Sequence, residues 1–153
     1  MTLTPYYYYP HLVALTDEEM VIYKDLSKKI ARLTNRTDEG SQEALKILLM
    51  KRADLMNKAE NKLSTLSELI DNQPELDHAL FYCAPGQIDE VLKILGWEKG
   101  LLVHQFTAEE DVIERRDLLD NFAKGNYQAL AAMKCLDEGV DVPSTKIAFF
   151  LAS

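Results

Sequence analysis

The chain has 153 residues, 47% of them hydrophobic and 27% charged, with a formal net charge of −8 at pH 7. That is enough for one domain with a substantial core, and no apolar run approaches the roughly 20 residues needed to cross a bilayer. Residues 1–72 carry 10 Lys and Arg against 11 Asp and Glu, and residues 73–153 carry 7 against 14, which excludes a generic nucleic-acid coat protein and leaves only local basic stripes for a polyanion.

The N-terminus, MTLTPYYYYPHL, has neither the basic start nor the apolar centre of a signal peptide. Tyr6 to Tyr9 lie between Pro5 and Pro10, which exclude a helix there. The aromatic run reads either as a linker packing on a neighbouring domain or as a terminus folded back on its own core. Leu12–Leu15 is expected to add a short strand, so residues 1–15 form a linker with a strand at its end.

Thr16-x-x-Glu19 has the pattern of a capping box, in which hydroxyl and carboxylate satisfy first-turn amides reciprocally. Met20, Tyr23, Leu26, Ile30 and Leu33 then recur at helical spacing. After the polar connector Thr34–Gly40, a second long helix is expected from Ser41 towards Asp71. Its stripe is Leu45, Leu48, Leu49, Met56, Ala59, Leu63, Leu66 and Ile70. Two amphipathic helices around a polar loop predict an αα-hairpin over residues 16–72. Lys24, Lys28 and Arg32 share one face of the first helix, and Lys51, Lys58 and Lys62 one face of the second. Each set is either a solvated face or a phosphate-tracking stripe.

Asn72-Gln73-Pro74-Glu75 breaks the helical pattern. Strands are expected at 78–83, 101–106, 129–133 and 147–151. Between them run a helix carrying Ile88, Val91, Leu92 and Leu95, and another carrying Ile113, Leu118, Leu119 and Phe122, with Thr107-x-x-Glu110 as its expected cap. Alternating strands and helices at this spacing predict right-handed crossovers and an α/β fold built on a parallel sheet. The last two strands are expected to be neighbours in it. Cys83 and Cys135, the two cysteines, fit reduced thiols in a cytoplasmic protein, and no Cys/His spacing matches a zinc site, so no metal ligand is expected. His104 reads as a packed strand histidine, because no nucleophile or paired carboxylate is placed to use it as a base.

In an open parallel sheet, ligands sit beyond the carboxyl ends of the strands. The segments there are Ala84-Pro85-Gly86-Gln87, Gln105-Phe106-Thr107 and Lys134–Asp141. Gly139 permits close ligand approach. Pro143 constrains Val142 to extended geometry, which leaves Asp141 on a constrained loop as an acceptor for a ribose hydroxyl or a basic partner. The plain alternative is an ordinary acidic connection between strands. Asp137-Glu138 is not a Mg²⁺-holding pair of a hydrolytic motor, since no glycine in the chain is followed by lysine and the phosphate loop is absent.

Lys134-Cys135-Leu136-Asp137-Glu138-Gly139-Val140-Asp141-Val142-Pro143 resembles motif V of superfamily-2 helicases and translocases. The upstream run from Arg115 through Leu119 and Phe122 to Gly125 resembles the family's R-x-x-x-L-x-x-F-x-x-G segment. The branch most resembled holds repair translocases and the helicase subunits of type III restriction enzymes. The Leu15-Thr16-x-Glu18-Glu19 opening with Tyr23-x-x-Leu26, and Lys62-Leu63 with Leu66, also resemble the stretch before the second lobe of Swi/Snf-type ATPases. Met133 stands where many relatives have Ser or Thr, and Glu138 where one helicase branch has Arg.

The resemblance implies a RecA-like C-terminal motor lobe over residues 73–153, of the P-loop NTPase type, preceded by the hairpin and incomplete at its C-terminus. The chain stops at Ser153, short of the arginine-bearing Q-x-x-G-R-x-x-R segment, and is expected to be a fragment of an ATP-hydrolysing enzyme, inactive alone. It implies nucleotide contacts from Glu138, Gly139 and Asp141, and nucleic-acid contacts from Pro85, Gly86, Gln105, Thr107 and Lys134, with Arg115 as the family's arginine or a surface ion-pair partner. ATP and Mg²⁺ belong to the parent enzyme and are not expected to bind this fragment alone. The implied partners are DNA, or RNA, and the N-terminal motor lobe, with no membrane. The competing class is a free-standing module that docks a protein through its hairpin or tyrosines.

Overall fold

Thr16 starts the first helix as its pattern predicts. Its hydroxyl accepts from the Glu19 N–H at 3.2 Å, and Glu19 Oε1 accepts from the Thr16 N–H at 2.9 Å. The computed structural model describes residues 6–133 and 142–152. Helix α1 spans Asp17–Leu33, and α2 spans Glu39–Asn57 behind an Asp38 cap whose carboxylate accepts from the Ser41 N–H at 3.0 Å. The two pack as a hairpin. Leu26 and Ile30 are buried, while Arg52 donates to Ser27 Oγ at 3.1 Å and lies 5.7 Å from the centre of the Tyr23 ring.

Three expectations in this half are corrected. Residues 12–15 form no strand: Leu12 is fully exposed, and the Ala14 carbonyl is taken by the Asn61 side chain at 2.8 Å. The long second helix is broken at Lys58–Glu60, and α3 (Asn61–Asp71) sets off separately. The break has a tertiary cause. Ala59 is buried at the corner, and the Glu60 N–H donates to Glu19 Oε2 of α1 at 3.0 Å, so a packed contact replaces helical continuity. The apolar stripe also divides: Leu66 and Ile70 on α3 are buried, whereas Leu49 and Met56 on α2 are 41% and 45% exposed.

Strands β1 (Ala79–Cys83), β2 (Val103–Phe106), β3 (Ala129–Met133) and β4 (Ile147–Phe150) form one parallel sheet in the order β2-β3-β1-β4. Thus β3 and β4 are not neighbours; β1 lies between them, with Leu80 opposite both Leu130 and Ala148. β1 presents Phe81 and Cys83 to one face and Leu80 to the other, which suits a middle strand covered on both faces.

On one face, Ala79, Phe81, Cys83, Ala129 and Ala131 pack under Leu66 and Ile70 of α3 and under Val91 and Leu95. Val91 belongs to α4 (Ile88–Leu92) and Leu95 to the π-helical turn Lys93–Glu98 that continues it. On the other face, Leu80, Leu130, Ala132 and Phe106 pack under Leu118 and Phe122 of α5 (Val112–Ala123). Stacked pairs join the two neighbouring strands: Phe81 with Phe149 at 4.6 Å, and Tyr82 with Phe150 at 5.0 Å. Burial pushes the Cys83 thiol up to about 12, leaving it an inert core residue.

The start of α5 also differs from expectation. Its cap is Asp111 in a capping box with Glu114, not Thr107 with Glu110. Starting there brings Leu118 and Phe122 onto the sheet while Ile113, in the first turn, stays 71% exposed.

Candidate functional site

Parallel strands put all their carboxyl ends on one edge. Along it the order is Phe106 of β2, Met133 of β3, Cys83 of β1 and Phe150 of β4. The Gln105–Thr107 corner and the Pro85–Gly86 turn therefore flank the point where β3 ends. Lys134, Glu138, Gly139 and Asp141 follow that point in sequence and lie outside the described residues.

The turn after β1 is tight. Gly86 has φ of +83°, a conformation that favours glycine, and the Gln87 N–H closes the turn on the Ala84 carbonyl at 3.0 Å. Pro85 and Gly86 are exposed. Gln87 is buried; its Oε1 accepts from the Ala84 N–H at 3.4 Å, and its Nε2 has no partner among the described residues.

The corner after β2 is built around a buried carboxylate. Glu110, 8% exposed, accepts from the Thr107 N–H at 2.7 Å, from the Thr107 hydroxyl at 2.9 Å and from Gln105 Nε2 at 2.8 Å. Burial works to raise its carboxyl, but these donors together outweigh it and hold the group below its ordinary range. Arg115 grips the same corner, donating from Nε and Nη2 to the Thr107 carbonyl at 3.1 and 2.9 Å, with its guanidinium 5.9 Å from the centre of the Phe106 ring. Thr107 is 2% exposed, and its N–H and hydroxyl are both engaged by Glu110. It shapes the corner that Gln105 shares. His104 packs as a strand residue, with Nδ1 2.7 Å from the Gln105 carbonyl and its ring edge-on to Tyr127.

Sequence reasoning misses two features here. It gives Glu110 to a helix cap, although an acid three residues after threonine serves a turn equally well. It reads Lys58 and Lys62 as part of a hairpin face; the break at 58–60 instead brings them to the carboxyl edge. Lys62 Nζ donates to the Leu151 carbonyl beyond β4 at 2.6 Å. Lys58 Nζ lies 3.4 Å from where a β-carbon on Gly86 would stand. Lys24, Lys28, Arg32 and Lys51 are exposed. Among the described residues, no group of three or more His, Cys, Asp or Glu is placed to hold a metal ion, and no helix is long and apolar enough to cross a membrane.

A parallel sheet covered by helices on both faces bears out the expected α/β, RecA-like fold, which the chain shares with solved structures of ATPase motor lobes. Among curated proteins, the chain is similar to the DNA 3'-5' translocase XPB2 of Sulfurisphaera tokodaii, with 28% identity over 155 aligned positions covering 91% of this chain. It spans 34% of that relative's length. Among solved structures, it superposes on the Sulfolobus solfataricus SWI2/SNF2 ATPase core in complex with dsDNA with a TM-score of 0.74, at 15% identity, over 91% of this chain and 33% of that one. The C-terminal domain of the same ATPase gives a TM-score of 0.71 at 16% identity, with 91% of this chain and 68% of that one covered. No protein-family model matches the sequence.

Proposed function

We propose that this chain is the second motor lobe of an ATP-driven DNA helicase or translocase. The observation that carries the reading is the strand order. With β3 between β2 and β1, the strand that leads in sequence into the motif V segment ends between the Gln105–Thr107 corner and the Pro85–Gly86 turn. Pro85, Gly86, Gln105, Thr107 and Lys134 are assigned to the nucleic-acid side, with the Gly86 amide and the lysine contacting phosphates without reading sequence and the buried Thr107, engaged by Glu110, bracing the corner. Glu138, Gly139 and Asp141 are assigned to the nucleotide side. The S. tokodaii relative is a DNA translocase, and one solved neighbour is held with dsDNA; both support DNA as the polymer.

Phosphoryl transfer by such motors needs a phosphate cradle with its lysine, a Mg²⁺-holding carboxylate, a positioned water and an arginine. This chain has no phosphate loop, so ATP and Mg²⁺ are assigned mainly to the partner lobe. The part played here is to position: the lobe presents one wall to the nucleotide and one to the polymer.

In the full-length protein, Asp141→Ala should lower DNA-stimulated phosphate release by about tenfold or more, equivalent to roughly 1.4 kcal/mol of lost transition-state stabilisation, with the melting temperature unchanged. Residues 1–153 alone should release no phosphate above background. Normal turnover in the variant would remove Asp141 from the nucleotide site, and hydrolysis by the isolated chain would overturn the lobe assignment. A second reading, a module that docks a protein, draws on the exposure of Tyr6 to Tyr9; it requires a full-length protein with neither DNA binding nor ATP turnover.

A further inference from the structure

The corner between α2 and α3 stands over the carboxyl ends of two adjacent strands. Lys58, the residue after α2, reaches the turn that follows β1, and Lys62, in the first turn of α3, reaches the end of β4. We propose that this corner supplies a contact to a nucleic-acid backbone phosphate, made by the Lys58 ammonium together with the exposed Pro85–Gly86 turn, with Lys62 as the residue that positions the corner. The inference rests on the carboxyl edge being the nucleic-acid face, and it adds an element and a charged residue that the motifs do not contain.

Lys58 is available for this. Its side chain is 42% exposed, and its ion pair is with Asp54 one turn back, at 3.2 Å. An exposed pair at that spacing contributes little, so a phosphate on a polyanionic backbone, where neighbouring charges add, displaces it. Gly86 is matched to the arrangement. A β-carbon there would stand 3.4 Å from the ammonium and 3.7 Å from Lys58 Cε, and the φ of +83° disfavours any side chain. Beside it, the buried Gln87 Nε2 has no acceptor among the described residues.

Lys62 is fixed rather than free. It donates to the Leu151 and Asn57 carbonyls at 2.6 and 3.4 Å and is half-buried, which pushes its ammonium below the usual lysine range. It thereby locks the corner onto β4 and holds Lys58 above β1. The alternative donor, the start of α4, is unsuited to a phosphate, because Asp89 and Glu90 occupy its first turn. In the half of the chain that holds the sheet, with 7 basic residues against 14 acidic, a phosphate reaching this edge gains from a further cation. The hairpin provides one.

The test uses the full-length protein and a duplex of arbitrary sequence, with affinity measured against salt. Lys58→Ala should weaken binding alike across sequences and lower the log–log salt slope by about 0.9, the value of one phosphate contact. Lys58→Arg should restore the slope. Melting temperature and the KM for ATP should stay at wild-type values. An unchanged slope in Lys58→Ala would overturn the inference while leaving the lobe assignment intact, provided the wild type binds. A raised KM for ATP at constant slope would also overturn it, reassigning the lysine to a nucleotide phosphate. A wild-type protein that binds no duplex would remove the proposed function itself.

Discussion

Glu19 shows how one side chain joins two levels of structure. Its Oε1 completes the capping box with Thr16, and its Oε2 receives the Glu60 N–H where α2 gives way to α3. The Thr16 backbone donor is the largest influence on the carboxyl; burial opposes it, and the Glu60 backbone N–H and the Thr16 side chain reinforce it, so the group is held below its ordinary value of 4.5. A carboxyl depressed by folding stabilises above its unfolded pKa, and that contribution fades as pH falls through the folded value. Glu19→Ala should therefore cost about 1 kcal/mol near neutrality, the usual worth of a cap. The difference from wild type should close in denaturant titrations carried out at pH values progressively below the ordinary carboxyl value of 4.5. A constant difference throughout that acid range would show that packing, not charge, carries the effect.

At the scale of elements, α2 and α3 look alike in sequence and differ in what they cover. Leu49 sits on the hairpin and is 41% exposed, whereas Leu66 on α3 is buried against the face carrying Phe81 and Cys83. Leu66→Ala should destabilise by about 2–5 kcal/mol, and Leu49→Ala by no more than about 0.5 kcal/mol, as for a surface change. Equal losses in thermal or urea unfolding would mean that the two helices share one core after all. The division has a functional side. Because α3 is anchored on the sheet, the corner ahead of it is held firmly above the strand ends.

Over the whole molecule, the acidic residues concentrate in the half that bears the sheet, and the hairpin half is nearly balanced. The exposed Lys24, Lys28 and Arg32 on α1 are thus the second place where a polyanion meets positive charge. If they track phosphates, replacing all three by alanine in the full-length protein should flatten the salt dependence of DNA binding, by up to about 0.9 in log–log slope for each phosphate no longer neutralised. An unchanged slope returns them to an ordinary solvated face. The Lys58 and α1 measurements are independent, because the lysine corner and the α1 face belong to different parts of the hairpin.

Much of the fold was legible because its signals are local. The capping box at Thr16, the apolar runs at 79–83 and 129–133 and the intervening helices follow from side-chain chemistry within a few positions. The motif resemblance was likewise carried by contiguous residues. Three things were decided only by packing. The break at Lys58–Glu60 contains neither Gly nor Pro, and its cause is a carboxylate 41 positions away on α1. The order β2-β3-β1-β4 inserts β1 between strands that the chain makes consecutively, and β1, with Phe81 on one face and Leu80 on the other, gains cover on both. The roles of Thr107 and Glu110 passed from helix cap to loop brace once Asp111 set the start of α5. A sequence records which groups are able to pair; which pairs form depends on the free energy of the whole fold, and that sum is taken only in three dimensions.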